Sequence, residues 1–105
     1  MDALNEDQGL TFGNAMLALK AGKAISRKGW NGKGLFVFMQ VPSTIGIDII
    51  PKMQSLPESV KKILIDRNAP IAYNNQMAIV YIHNNISGWA PSGSDSIAED
   101  WNVIN

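Results

Sequence analysis

Apolar residues first recur with a helical repeat. Phe12, Ala15, Met16 and Leu19 lie three and four positions apart, which sets them on one helical face. Thr11 stands before them as an N-cap and Gly22 after them as a stop, so the pattern predicts a helix over 11–21. Lys20 and Lys23 suit its negative end. Residues 1–10 read as a loose lead-in. Residues 24–28 read as a short strand, and 29–34 as a loop. Leu35 to Val41 is apolar at successive positions rather than alternating, which predicts a strand covered on both faces. Met77 to His83 repeats that pattern.

The middle of the chain is punctuated by Pro42, Pro51, Pro57 and Pro70. Ser55-Leu56-Pro57-Glu58 fits a capping box with Pro57 in the first turn. Val60, Ile63, Leu64 and Arg67 follow at helical spacing, so a second helix is expected over 56–67. Asn74-Asn75 and Asn84-Asn85 read as turns. Ile86 to Ala90 is a partner strand for the one before it. Ser92 to Asp95 resembles a helix start, and Ile97-Ala98 one short turn. Trp101 to Ile104 closes the chain as a strand with Trp101 in the core.

These elements predict an α+β fold: a small, mostly antiparallel sheet packed with one or two helices. The 105 residues suit one domain. Two strands without a polar face are hard to cover in a chain this short, so an oligomer is expected.

Composition narrows the chemistry. There is no cysteine and one histidine, His83. Disulfides, thiolate catalysis, Cys–His pairs and His-rich metal sites within a protomer are thereby excluded. Asp95, Glu99 and Asp100 offer carboxylates to a metal, or equally a helix start and end. No apolar run approaches the roughly 18 residues that span a bilayer. The acidic, polar start lacks the pattern of a secretory signal, and the lack of cysteine fits a reducing cytoplasm, the location expected. Net charge is zero, yet no acid stands between Asp7 and Asp48, where Lys20, Lys23, Arg27, Lys28 and Lys33 fall. The total disfavours long-range attraction to nucleic acid. The local excess suits an anion site, or a solvated face offset by the acidic end.

"RKGWNGKG", residues 27–34, lies in that basic region. It is neither a P-loop nor a dinucleotide fingerprint: Gly34 stands where a P-loop needs a hydroxyl after the lysine. Its glycines let backbone N–H groups approach a ligand. Arg27, Lys28 and Lys33 offer charge for phosphates, and Asn31 both donates and accepts. Trp30 offers a face on which a base can stack, worth about 1–3 kcal/mol. The alternative is a turn whose tryptophan folds back on the core. A second cluster, "GWAPSGSD" over 88–95, sets Trp89 beside Ser92 and Asp95. Ser92 caps a helix through Asp95, or the two meet a ligand's hydroxyl or amino groups.

"TFGNAMLALKAGKAISRKGWNGKG", then an apolar strand, then "GWAPSGSDSIAEDWNVI" resembles the second Thoeris anti-defence family of small phage proteins, first catalogued as a domain of unknown function. The match covers 10–41 and 77–104 within one domain spanning 1–105, and 43–75 departs from the family's shorter middle as a divergent insertion. The resemblance implies a sponge rather than an enzyme. Members bind a cyclic ADP-ribose isomer made by the Thoeris immune enzyme and keep it from its effector. They are homotetramers with pockets between subunits, they use no cofactor, and some also bind cyclic oligonucleotides at a separate site. Carried onto the matching motifs, the ligand-binding set is Arg27, Trp30, Asn31, Trp89, Ser92 and Asp95. The rival readings are a small phage nucleic-acid- or protein-binding module, and a nucleotide-processing enzyme that would lack an acid–base set.

Overall fold

The computed structural model describes residues 7–30 and 34–104. In chain order its elements are α1 (Phe12–Lys20), β1 (Ala24–Arg27), β2 (Phe36–Met39), β3 (Ser43–Ile45), a 3-10 helix (Ile47–Lys52), α2 (Glu58–Asp66), β4 (Ile71–Tyr73), β5 (Met77–Val80), β6 (Ile86–Gly88), α3 (Gly93–Ile97) and β7 (Trp101–Ile104). The chain divides into two compact units, Met1–Gln40 with Gln76–Asn105, and Val41–Asn75. The class is α+β, with a five-stranded antiparallel sheet in the order β6-β5-β2-β1-β7.

In the first unit α1 forms where its apolar repeat falls. Thr11 is the N-cap, its Oγ1 accepting from the Asn14 N–H at 3.3 Å. Gly22 ends the helix at φ +92°, a conformation that costs a glycine little, and the Lys23 N–H closes back on the Ala18 carbonyl at 3.1 Å. The helix buries Ala15 and Leu19 completely.

Those two side chains join Ile25, Val37, Ile79 and Trp101 in one core. The register explains which sheet residues take part. Ile25 stands opposite Val37 and Val103, Val37 opposite Ile79, and Arg27 opposite Trp101. Since side chains alternate across a strand, all of these share the sheet face toward α1. Full burial of an Ile or Val of this kind stabilises by about 1.5–3 kcal/mol. The other face carries Phe36, Phe38, Ala78, Val80 and Ile86. Ala78 and Val80 are buried, Phe36 and Phe38 half-buried, and Ile86 exposed.

Both apolar strands are shorter than their apolar runs. β2 spans four of the seven residues in 35–41, and β5 stops at Val80. Tyr81 to His83 belong to a tight connection instead. Tyr81 donates to the Asn85 carbonyl, and the Asn84 N–H returns to the Tyr81 carbonyl at 2.8 Å, with Asn84 at φ +65°. The lead-in is not loose over 7–10. Leu10 bridges Trp101, and the Val103 N–H donates to the Asp7 carbonyl at 2.7 Å, so these residues line the outer edge of β7.

The second unit holds the antiparallel pair β3–β4, the 3-10 helix and α2. The anticipated helix is present over Glu58–Asp66, but the capping box is not what starts it. Pro57 is the N-cap and makes no side-chain cap bond, while Glu58 pairs with Lys61 at 2.8 Å. Lys61 is nearly buried and also donates to the Pro51 carbonyl at 3.1 Å. That interior place goes to a lysine, and Ile63, which shares the helical repeat, is about half exposed.

Candidate functional site: an arginine and tryptophan cluster at the base of a loop

Arg27 is the last residue of β1 and points to the same face as Trp101. Its guanidinium is forked between two carboxylates. Nη1 donates to Asp95 Oδ1 and Nε to Asp100 Oδ1, each at 2.8 Å. One acid comes from α3 and the other from the residue before β7, so Arg27 ties three parts of the chain together.

Asp95 holds the most partners. Its Oδ1 also accepts from Trp30 Nε1 at 3.3 Å, and its Oδ2 from the Ser92 N–H at 2.9 Å. Ser92 Oγ in turn accepts from the Asp95 N–H at 3.0 Å, which completes a capping box on α3. The Asp95 carbonyl accepts from Trp101 Nε1 at 3.0 Å. Burial pushes the Asp95 carboxyl upward in pKa. The N–H of Ser92, the Arg27 guanidinium and the Trp30 indole outweigh it and hold the group below the ordinary carboxylate range.

Asp100 grips the start of the loop. Its Oδ2 accepts from the Gly29 N–H at 2.8 Å, and its carbonyl from the Lys28 N–H at 3.0 Å. The hydrogen bond from Arg27 is the main reason its pKa is lowered. Both carboxylates raise the pKa of Arg27 further. A Cβ at position 29 would lie 2.8 Å from Asp100 Oδ2 and 3.3 Å from Arg27 Nη2, so the glycine is what allows this approach.

The three tryptophans meet edge to face. Ring centroids are 5.3 Å apart for Trp30 and Trp101, 6.0 Å for Trp89 and Trp101, and 6.4 Å for Trp30 and Trp89. Each pair adds about 0.5–1.5 kcal/mol beyond area burial. Trp101 is fully buried, as its place in the closing strand predicts, while Trp30 and Trp89 are half-buried against the core. Trp30 therefore does fold back on the core and keeps part of its surface open.

Five of the six expected ligand-binding residues, Arg27, Trp30, Trp89, Ser92 and Asp95, come together in this cluster. Asn31 lies outside the described residues. The positive charge of Arg27 is matched by two carboxylates, and the Ser92 hydroxyl already accepts a backbone bond. Sequence reasoning did not single out Asp100 or Gly29 for this cluster. The signal for Asp100 was only an acid 73 positions away from an arginine, and nothing local links them. Among the described residues no group of three or more His, Asp or Glu side chains is placed to hold a metal. His83, at the β5–β6 connection, is exposed. Beside the cluster an open hollow of about 490 Å³ is lined by Gln8, Gly9, Lys28, Glu99, Asp100 and Asn102. No helix among the described residues is long and apolar enough to cross a membrane.

Two comparisons bear on this arrangement. Residues 10–104 match the Thoeris anti-defense 2-like domain, also termed Tad2-like. The chain is 32% identical over 95 residues to Thoeris anti-defense 2 of Bacillus phage SP01, an alignment that covers 90% of this chain and 94% of that protein. The matched span takes in every element from α1 to β7 and both clusters joined by Arg27, so the chain belongs to the Thoeris anti-defense 2-like family.

Proposed function

We propose that the chain is a phage anti-defence protein that binds a cyclic ADP-ribose isomer and withholds it from its effector without cleaving it. It acts in the cytoplasm of the infected bacterium, as a homotetramer. The observation that carries this reading is the gathering of the two motif clusters into one site, in a member of an anti-defence family. A cyclic ADP-ribose presents an adenine, two riboses and a diphosphate. The open parts of Trp30 and Trp89 are flat surfaces for the base. Asn31 and the glycine-rich loop supply donors and acceptors for the ribose and phosphate edges. Arg27, Asp95 and Ser92 hold the indoles in place and present what remains of their polar edges.

Sequestration needs affinity and no chemistry. A single histidine and the lack of cysteine leave little for an acid–base or nucleophilic mechanism within a protomer. The forked guanidinium also weakens the polyanion reading, because a cation shared by two carboxylates offers little to a phosphate backbone.

The test is incubation with the cyclic nucleotide, removal of unbound ligand, heat release and mass spectrometry. Recovery of the unchanged cyclic nucleotide is expected. A linear product would make the protein an enzyme, and no retained nucleotide would favour the interaction module.

A further inference from the structure

Among the described residues, Asp100 directs its side-chain bonds at one place, the root of the loop that carries Trp30. Oδ1 takes the Arg27 Nε–H and Oδ2 takes the Gly29 N–H, both at 2.8 Å. Its own carbonyl takes the Lys28 N–H at 3.0 Å. Three consecutive residues, Arg27, Lys28 and Gly29, are thus fixed to one residue more than 70 positions away. The next residue is Trp30, whose N–H returns to the Arg27 carbonyl at 3.2 Å. The grip requires a bare backbone at position 29, since a Cβ there would come within 2.8 Å of Oδ2.

We propose that Asp100 is a positioning residue of the nucleotide site: by clamping Gly29 against Arg27 it fixes how the chain passes from β1 to Trp30, and so presents the Trp30 indole to the ligand. This rests on the nucleotide-binding reading above. Asp100 acts through the loop and need not touch the nucleotide. The clamp also explains a residue choice at position 29 that a turn alone does not demand. Gly29 does not have the positive φ found at Gly22 and Gly34, so its glycine answers to the approach of Asp100.

The experiment uses the full chain and the purified cyclic ADP-ribose isomer as probe, with affinity read by calorimetry well below the melting temperature. Asp100→Asn keeps the shape and removes the charge that holds Arg27 Nε. Ile25→Val, in the core, serves as a control for general loss of stability. The expected result is that Asp100→Asn binds at least tenfold more weakly while Ile25→Val binds as wild type. Gly29→Ala alone should also weaken binding at least tenfold. Added to Asp100→Ala it should cost little more, because the oxygen it collides with is gone. Wild-type affinity in Asp100→Asn would overturn the proposal. So would equal weakening in Asp100→Asn and Ile25→Val, or a Gly29→Ala effect that is unchanged in the Asp100→Ala background. A wild-type chain that fails to bind the nucleotide sinks the sponge reading itself, which is a separate outcome from a variant that binds normally.

Discussion

Asp95 accepts from three different side-chain or backbone donors through two oxygens, at 8% exposure. Removing it strands one arm of the Arg27 guanidinium, an indole N–H and a backbone N–H together. Asp95→Ala should therefore destabilise by about 3 kcal/mol, the range for breaking a buried pair, as measured by chemical denaturation. A loss under about 1 kcal/mol would mean that water replaces the carboxylate easily. Acid acts on the same bonds. Asp95 and Asp100 both have folded-state pKa values below their unfolded values. Their contribution is therefore complete above the unfolded pKa of about 4 and is lost as pH falls through the folded values. Stability should fall as pH drops below about 4, and the fall should be shallower in Asp100→Asn. Trp101 contributes differently, through burial and three aromatic contacts. Trp101→Ala should cost about 3–5 kcal/mol, and an intact melting temperature would contradict its place in the core.

Elements were legible where a local signal and a tertiary role agree. α1 has its cap, its repeat and its stop in the sequence, and its buried residues lie on the stripe those signals define. α3 is only Gly93–Ile97, too short to persist by propensity, and its capping signature was still readable at Ser92 and Asp95. Ser92→Ala should destabilise by about 1 kcal/mol, with the loss of helix 93–97 visible in amide exchange. The same signature at Ser55 and Glu58 misled, because Pro57 takes the cap position and Glu58 turns to Lys61. β3, β4 and the 3-10 helix gave no strong signal, since three-residue strands and a proline-bearing turn carry too few positions for a period to show. The candidate site divides in the same way. Trp30, Ser92 and Asp95 were legible from motifs. Asp100 was not, because its partners are set by the pairing of β1 with β7, a contact that no short window contains.

At the scale of the molecule, the apolar surface and the charge pattern bear on assembly and on affinity. Tyr81, Ile82 and Ile86 stand exposed around the β5–β6 connection, and Ile104 is 42% exposed at the end of β7. A proposed tetramer gives such surface a cover, and light scattering at micromolar concentration should return a four-chain mass, reduced by Ile86→Lys. A clean wild-type monomer would remove the assembly and any pocket shared between subunits. Charge sets the final expectation. The chain has no net charge, and Arg27 is held between two acids rather than turned outward. Few counterions are then released when a ligand binds, and affinity must come from stacking and enclosed hydrogen bonds, which salt screens weakly. Raising salt from about 50 to about 200 mM should weaken cyclic ADP-ribose binding by less than roughly tenfold, whereas a protein making 6–10 phosphate contacts loses about 10³–10⁵ over that range. Arg27→Ala should weaken binding as well, and for a structural reason. It leaves Asp95 and Asp100 without the cation they share beside the indoles, so its melting temperature should fall along with its affinity, while the salt slope stays shallow. A steep slope in the wild type that Arg27→Ala flattens without loss of stability would mean that the guanidinium reaches a polyanion, and that its fork between two carboxylates opens when the partner arrives.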